Sequence, residues 1–205
     1  MTTDFDAFAE EWDAFRRNPS PALSLFRPFV FARVLDAGCG NGRNTRVLAG
    51  NAKEVWALDA SNEMLKNAKK NLDAQKNVHV LAGRLEALPF QDGFFDAVFC
   101  LAALHHLEPE KHGEAFAQLH RVLKKGGRLC LTVWNRKQKR FDEKPKKQKI
   151  PWRGKPRYYY FFDAQELEEG LRHAGFVNVE LFYEKKGVKV TARDGQNLCA
   201  IAGKE

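Results

Sequence analysis

Arg33-Val34-Leu35-Asp36-Ala37-Gly38-Cys39-Gly40-Asn41-Gly42-Arg43 is a short apolar run that ends in three glycines spaced two apart. The run reads as a buried strand, and helix-compatible sequence follows it. Glycines at a strand's carboxyl end permit positive φ and let backbone approach a ligand closely. In an open α/β sheet that loop lies in the crevice where ligands bind. The spacing is Gly38-x-Gly40-x-Gly42, whereas a nicotinamide-binding loop has G-x-G-x-x-G. The dinucleotide-phosphate reading therefore loses.

Outward from this loop the same unit repeats. Residues 54–60, EVWALDA, form a second apolar run, followed by helical SNEMLKNAKKNLDA with Ser61 or Asn62 as its cap. NVHVLAG (77–83) is the third run and FFDAVFCLAAL (94–104) the fourth. HGEAFAQLHRVLKKGG is the next helix and GRLCLTVWN the fifth strand. After DAQELEEGLRHAGF, a further helix, two strand-like runs, VNVELFYEKK and NLCAIAGK, finish the sequence. Alternating strands and helices predict one α/β domain over 1–205 with a doubly wound, mainly parallel, seven-stranded sheet. An N-terminal helical lid is expected at about 4–31, broken at Asn18-Pro19-Ser20-Pro21.

The 205 residues suit one well-buried domain. No apolar stretch approaches the roughly 20 residues of a membrane span. The start, MTTDFDAFAEEWDAF, is acidic and aromatic rather than basic then apolar, so a cytoplasmic protein is expected. Cys39, Cys100, Cys130 and Cys199 form no C-x-x-C pair, and the histidines do not cluster at zinc spacing, so no metal is expected. The formal charge is +8, but residues 136–157 hold eleven Lys/Arg against two Asp/Glu, a net of +9, so the remainder carries about −1. Phe141 and Trp152 interleave with these cations. Such a segment can neutralise phosphates while its aromatics stack on unpaired bases.

Asp59 closes the second strand, seventeen residues after Gly42. A carboxylate there can take both hydroxyls of a ribose. VLDAGCGNG, ALDAS, LPFQDGFFDAV and RVLKKGG, over residues 33–134, resemble the motif series of class I S-adenosylmethionine-dependent methyltransferases. The resemblance implies that the Gly38–Gly42 loop, with Asn41 and Arg43, cradles the methionine part of S-adenosylmethionine. Asp36 would fix the loop and the amino group, Asp59 the ribose, and Ala60 and Met64 the adenine faces. Leu101 and His106 complete that set. The family usually has Gly-Asp in the third loop, where this sequence has Gly83-Arg84-Leu85-Glu86. Adenine's amino group is then left to backbone near Leu85 or to Glu86.

A narrower resemblance lies further on. Leu104-His105-His106, Val133-Trp134, Arg157-Tyr158-Tyr159-Tyr160-Phe161-Phe162, Asp194-Gly195-Gln196-Asn197-Leu198 and Trp12-Asp13-x-Phe-Arg16 resemble the tRNA methyltransferases that esterify 5-carboxymethyluridine at the wobble position. That chemistry needs little base catalysis, because a carboxylate is ionised at pH 7. Arg16, Arg157 and His105 would hold and orient the anion, and Tyr158 would stack on or bond the base. The subgroup acts with a small zinc-binding activator protein. Such a partner would add a strand at Asn77–Leu81, an expected sheet edge without internal proline or lysine, unless a loop or Arg84 covers it. Two other readings stand beside this one. A small-molecule methyltransferase would use 4–31 as a lid and 136–162 as a pocket wall. An RNA-binding protein without catalysis would keep the basic segment alone.

Overall fold

The structure, a computed structural model, describes residues 5–26, 30–139, 141 and 144–205. Asp4 and residues 27–29 of the expected lid, and Arg140, Asp142 and Glu143 of the basic segment, lie outside the described residues.

Five strands form the parallel part of the sheet: β1 Phe31–Ala37, β2 Ala52–Asp59, β3 Val78–Ala82, β4 Phe95–Leu101 and β5 Leu123–Trp134. β6 Lys147–Trp152 and β7 Lys155–Tyr160 pair with each other as a separate antiparallel hairpin. β8 Val177–Lys185, β9 Val188–Val190 and β10 Asn197–Gly203 complete the main sheet. Its order is β3-β2-β1-β4-β5-β10-β8-β9. The sheet thus has eight strands rather than seven, because the chain turns at Lys186-Gly187 and adds the short β9 to β8. β10 runs antiparallel between β5 and β8. Strand order reverses between β1 and β4, so the crevice lies beyond their carboxyl ends.

The helices are α1 Ala9–Phe15, α2 Thr45–Ala49, α3 Asn62–Asn71, α4 His112–Val122 and α5 Ala164–His173. On one face Phe116, Leu119, Leu167 and Leu171 pack against the strands. On the other, α2 is only five residues long and cannot cover its share. A 3-10 turn, Pro21–Phe26, fills the layer with Ala22, Leu23 and Phe26. Ala22, Leu23 and Phe26 of the expected lid are therefore core instead. The wide apolar runs of β1 and β4 follow from burial on both faces.

Candidate active site

The glycines of the first loop serve different ends. Gly38 (φ +80°) and Gly42 (φ +82°) are packed tight: a Cβ on Gly38 would sit 2.3 Å from the Ala103 Cβ, and one on Gly42 2.6 Å from Leu72 Cδ1. A Cβ on Gly40 (φ +56°) would meet nothing within 4 Å, so the middle of the loop borders open space. The loop is pinned from below, where the Gly38 and Cys39 amides both donate to the Leu58 carbonyl, at 2.8 and 2.9 Å. It is pinned from the side by Asp59, whose two carboxylate oxygens accept the Gly40 amide at 2.8 Å and the Ser61 amide at 2.9 Å. Burial raises the Asp59 pKa, while those amides pull it down. Asp36 and Gly42 stand behind the loop, off the cavity lining. The buried Asp36 carboxylate accepts from Thr45 at 2.6 Å, and burial pushes its pKa up to about 6. That places Asp36 in the loop's support rather than within reach of a ligand's amino group.

The N-terminal segment closes over this loop. The buried Asn41 amide donates to Asp13 at 2.9 Å and to the Arg16 carbonyl at 3.0 Å. Ser61 caps α3 by accepting the Met64 amide at 3.1 Å, and its hydroxyl donates to Asp6 at 2.6 Å. Arg43 donates to the Asn18 carbonyl at 2.9 Å, and burial lowers its pKa to about 10.

A cavity of about 470 Å³ runs from the loop across the strand ends, within the roughly 300–1,000 Å³ of small-molecule sites. Gly38, Gly40, Asn41, Arg43, Asp59, Ala60, Met64, Leu85, Glu86, Leu101 and His106 all line it. At the Ala60–Met64 end, Glu86 Oε1 accepts from Arg84 at 2.6 Å and from Lys111 at 3.3 Å. Its Oε2 is buried without a hydrogen-bond partner among the described residues. Burial raises the Glu86 pKa, but its own backbone amide, Arg84 and Lys111 outweigh that and hold it below the ordinary value. A buried, ionised acceptor with an open lone pair fits an exocyclic amino group.

Arg16, His105, Arg157 and Tyr158 line the same cavity. Arg157 is 6% exposed, and its guanidinium lies 5.0 Å from the Trp12 ring, 5.1 Å from Tyr159, 5.5 Å from Trp152 and 5.6 Å from Phe8. Arg16 lies 5.3 Å from Trp12 and 5.4 Å from Phe15. Neither arginine forms an ion pair among the described residues, and each has a buried Nε without a partner. Burial lowers the Arg157 pKa, and Arg16 nearby acts the same way. Aromatic faces hold these cations but do not neutralise them.

The His105 ring is buried and stacks on Tyr159 at 5.7 Å, with Nδ1 unpartnered among the described residues. His106 Nδ1 meets the Tyr158 carbonyl at 2.8 Å. Burial, foremost, lowers both histidine pKa values, that of His106 to about 4. The Tyr158 phenol pKa rises through burial and the neighbouring Glu108. Among the described residues no group of three or more His, Cys, Asp or Glu could hold a metal ion, and no helix is long and apolar enough to cross a membrane.

The basic segment is a built hairpin rather than a loose run. Trp152, near its turn, packs against Trp12 and Phe8 at 5.5 Å each, and Lys155 donates to the Ala7 carbonyl. Hairpin and N-terminal helix thus form one wall of the cavity. Phe141 is buried against Phe161 and Trp134, with ring centroids at 4.2 and 5.6 Å, so it is core and no stacking platform. Lys146 pairs with Asp163 and Glu166, and Lys147 with Glu110. Lys137, Lys139, Lys144, Lys149 and Arg153 are exposed.

The structure also brings in residues that no sequence motif singles out: Phe5, against His106 at 4.8 Å, and Glu184, whose buried carboxylate lines the far end of the cavity beside Asn197. Asn197 belongs to the 194–198 motif, but only strand register joins Glu184 to it, since Asn197 lies opposite both Trp134 and Glu184.

Residues 35–131 match the family model for the methyltransferase domain. An uncharacterized methyltransferase of Synechocystis is 40% identical over 104 residues, 51% of this chain and 48% of that protein. A malonyl-[acyl-carrier protein] O-methyltransferase of Enterobacter lignolyticus is 35% identical over 118 residues, 58% of this chain and 45% of that protein. The chain thus spans about half the length of these relatives. Among solved structures, a putative methyltransferase of Haloferax volcanii in complex with the Trm112 methyltransferase activator superposes with a TM-score of 0.75 at 20% identity, over 98% of this chain and 95% of that one. A 1,6-didemethyltoxoflavin-N1-methyltransferase of Burkholderia thailandensis, with S-adenosylhomocysteine bound, superposes at 0.67 and 24% identity, over 97% of this chain and 79% of that one. Fold, glycine loop and relatives define a class I S-adenosylmethionine-dependent methyltransferase domain over residues 35–131. Its cofactor is S-adenosylmethionine.

Proposed function

We propose that the whole chain is an S-adenosylmethionine-dependent methyltransferase that esterifies a carboxylate, and that this carboxylate is the 5-carboxymethyl group of a wobble uridine in tRNA. The observation that carries the proposal is the pair Arg157, buried, and Arg16, half-buried, beside the cavity and without an ion pair among the described residues. A buried cation without a counterion is costly unless a ligand supplies one. When bound, S-adenosylmethionine supplies a methyl group on a sulfonium. Arg157, Arg16 and His105 orient the carboxylate so that one oxygen faces that methyl in line. The O–CH₃ bond forms as the S–CH₃ bond breaks, and no proton has to be removed, in keeping with two histidines held neutral.

The exposed Lys137, Lys139, Lys144, Lys149 and Arg153 favour a polyanionic carrier for the carboxylate. An activator protein is the proposed second partner, supported by the Haloferax volcanii complex and by the edge position of β3. The alternative, a small acid or acyl thioester as acceptor, draws support from the malonyl-[acyl-carrier protein] relative. Transfer of labelled methyl into total tRNA, followed by nucleoside mass spectrometry, decides. Label in a methyl ester of 5-carboxymethyluridine is the expected result. Label that enters acyl thioesters and never tRNA overturns it.

A further inference from the structure

The far wall of the cavity is a row of three side chains on adjacent strands. Glu184 on β8 is the register partner of Asn197 on β10, and Asn197 is the register partner of Trp134 on β5. Register partners project to the same face with their Cβ atoms roughly 4.5–5.5 Å apart, and all three line the cavity. From Trp134 the wall continues by ring contacts. Tyr159 stacks on Trp134 at 4.5 Å, and the Arg157 guanidinium lies 5.1 Å from Tyr159. One continuous surface therefore joins Arg157 to the Asn197 amide.

That amide is held but not saturated. Asn197 Nδ2 donates to Glu184 Oε2 at 3.2 Å. Glu184 Oε1 accepts the Gly187 amide at 3.4 Å, which fixes the carboxylate to the turn between β8 and β9. An asparagine carries two N–H donors and one carbonyl acceptor. One N–H and Oδ1 of Asn197 have no partner among the described residues, and Asn197 lines the cavity. Glu184, 2% exposed, forms no ion pair among the described residues and keeps acceptor capacity of its own. The turn 191–196 behind Asn197 is braced by the Asn135 amide, which donates to the Ala192 and Gly195 carbonyls at 2.7 and 2.9 Å. A fixed donor beside fixed acceptors matches a planar ring edge in which an N–H adjoins a carbonyl. An acyl thioester has no such edge.

We infer that Asn197, positioned by Glu184, determines specificity by hydrogen-bonding the imide edge of the acceptor's heterocycle, with Arg157 at the other end of the same wall taking the carboxylate. The inference rests on the carboxylate-methylation reading and adds the group that selects the ring. A site built to bond an N–H rejects an analogue without it far more strongly than an apolar pocket rejects a misfit.

The test compares two anticodon stem-loops, one with 5-carboxymethyluridine and one with its N3-methyl derivative. Single-turnover methyl transfer and, separately, cofactor-free binding by fluorescence anisotropy are measured. The wild-type protein should methylate and bind the parent at least tenfold better than the N3-methyl form. Asn197→Ala should erase that difference while leaving S-adenosylhomocysteine affinity unchanged, although the thermal midpoint falls because Glu184 loses its donor. Equal handling of both stem-loops by the wild type, which needs no variant, overturns the inference while methylation of the parent leaves the proposed function standing. Undiminished discrimination in a folded Asn197→Ala variant also overturns it. If the parent stem-loop is not methylated while acyl thioesters are, the proposed function falls as well.

Discussion

The carboxylate of Asp59 accepts the backbone amide of Gly40 at 2.8 Å, tying the tip of β2 to the middle of the glycine loop. A residue expected only to meet a ribose thus also shapes the loop that meets the rest of the ligand. Asp59→Ala should lose both contributions. Hydrogen bonds to a charged group are worth about 1.5–3 kcal/mol each, so S-adenosylmethionine affinity should fall at least tenfold by calorimetry. Gly40→Val should abolish binding, since its side chain would enter the open space beside the loop. Wild-type affinity in both variants would place the cofactor elsewhere.

Burial leaves His105 and His106 neutral near pH 7. Methyl transfer to a carboxylate should therefore be flat between about pH 6 and 8, and a limb near the ordinary histidine pKa of about 6.5 would contradict that. Stability should respond to the same burial. The unfolded chain takes up histidine protons below about pH 6.5 that folded His106 refuses until about 4, so folding weakens as pH falls through that window. Asp36 has the opposite sign. Its pKa rises from 3.8 to about 6 on folding, so its favourable contribution is present at low pH and lost as pH rises through about 6. Asp36→Asn keeps an acceptor for Thr45 and should stabilise the protein at pH 8 by up to about 3 kcal/mol. In urea denaturation that gain should vanish below about pH 4.

The alternation of apolar runs with helical stretches made the parallel half of the sheet legible, because strands buried on both faces advertise themselves. The need for glycine in the loop after β1 was legible too: Gly38 and Gly42 have no room for a side chain. The core role of Pro21–Phe26 was not, since nothing local shows that α2 stops after five residues. Phe141 misled for a related reason. Its charged neighbours suggest a solvated run, but the hairpin folds it onto Trp134 and Phe161. Arg157 lies in the basic segment, yet four aromatic rings from three parts of the chain enclose it, which no spacing encodes.

Lys137, Lys139, Lys144 and Lys149 are exposed and form no ion pairs among the described residues. Replacing all four with glutamine should weaken tRNA binding and flatten its dependence on salt. Every phosphate that a lysine no longer neutralises takes about 0.7–0.9 off the slope of log affinity against log salt, so the full set of four takes off up to about 3.6. Cofactor affinity should not change. A slope equal to that of the wild type would show that these lysines do not touch phosphates.

β3 pairs with β2 alone, which makes it one edge of the sheet. The Val55 amide donates to the Asn77 carbonyl at 2.9 Å, and the Gly83 amide donates to the Asp59 carbonyl at 3.0 Å. In a parallel ladder alternate residues direct both backbone groups to the same neighbour, so residues 77, 79, 81 and 83 face β2. Val78, Val80 and Ala82 turn theirs outward. The Arg84 side chain pairs with Glu86. An added strand from the proposed activator protein would bond to those outward groups. Val80→Pro removes one of the donors without breaking the ladder to β2. The variant should keep its thermal midpoint and S-adenosylmethionine affinity to within about twofold, yet fail to co-purify with the activator on co-expression. Lys substituted for the exposed His79, whose backbone faces inward, should leave the complex intact and serves as the control. A Val80→Pro protein that still co-purifies with the activator would move the contact away from this edge.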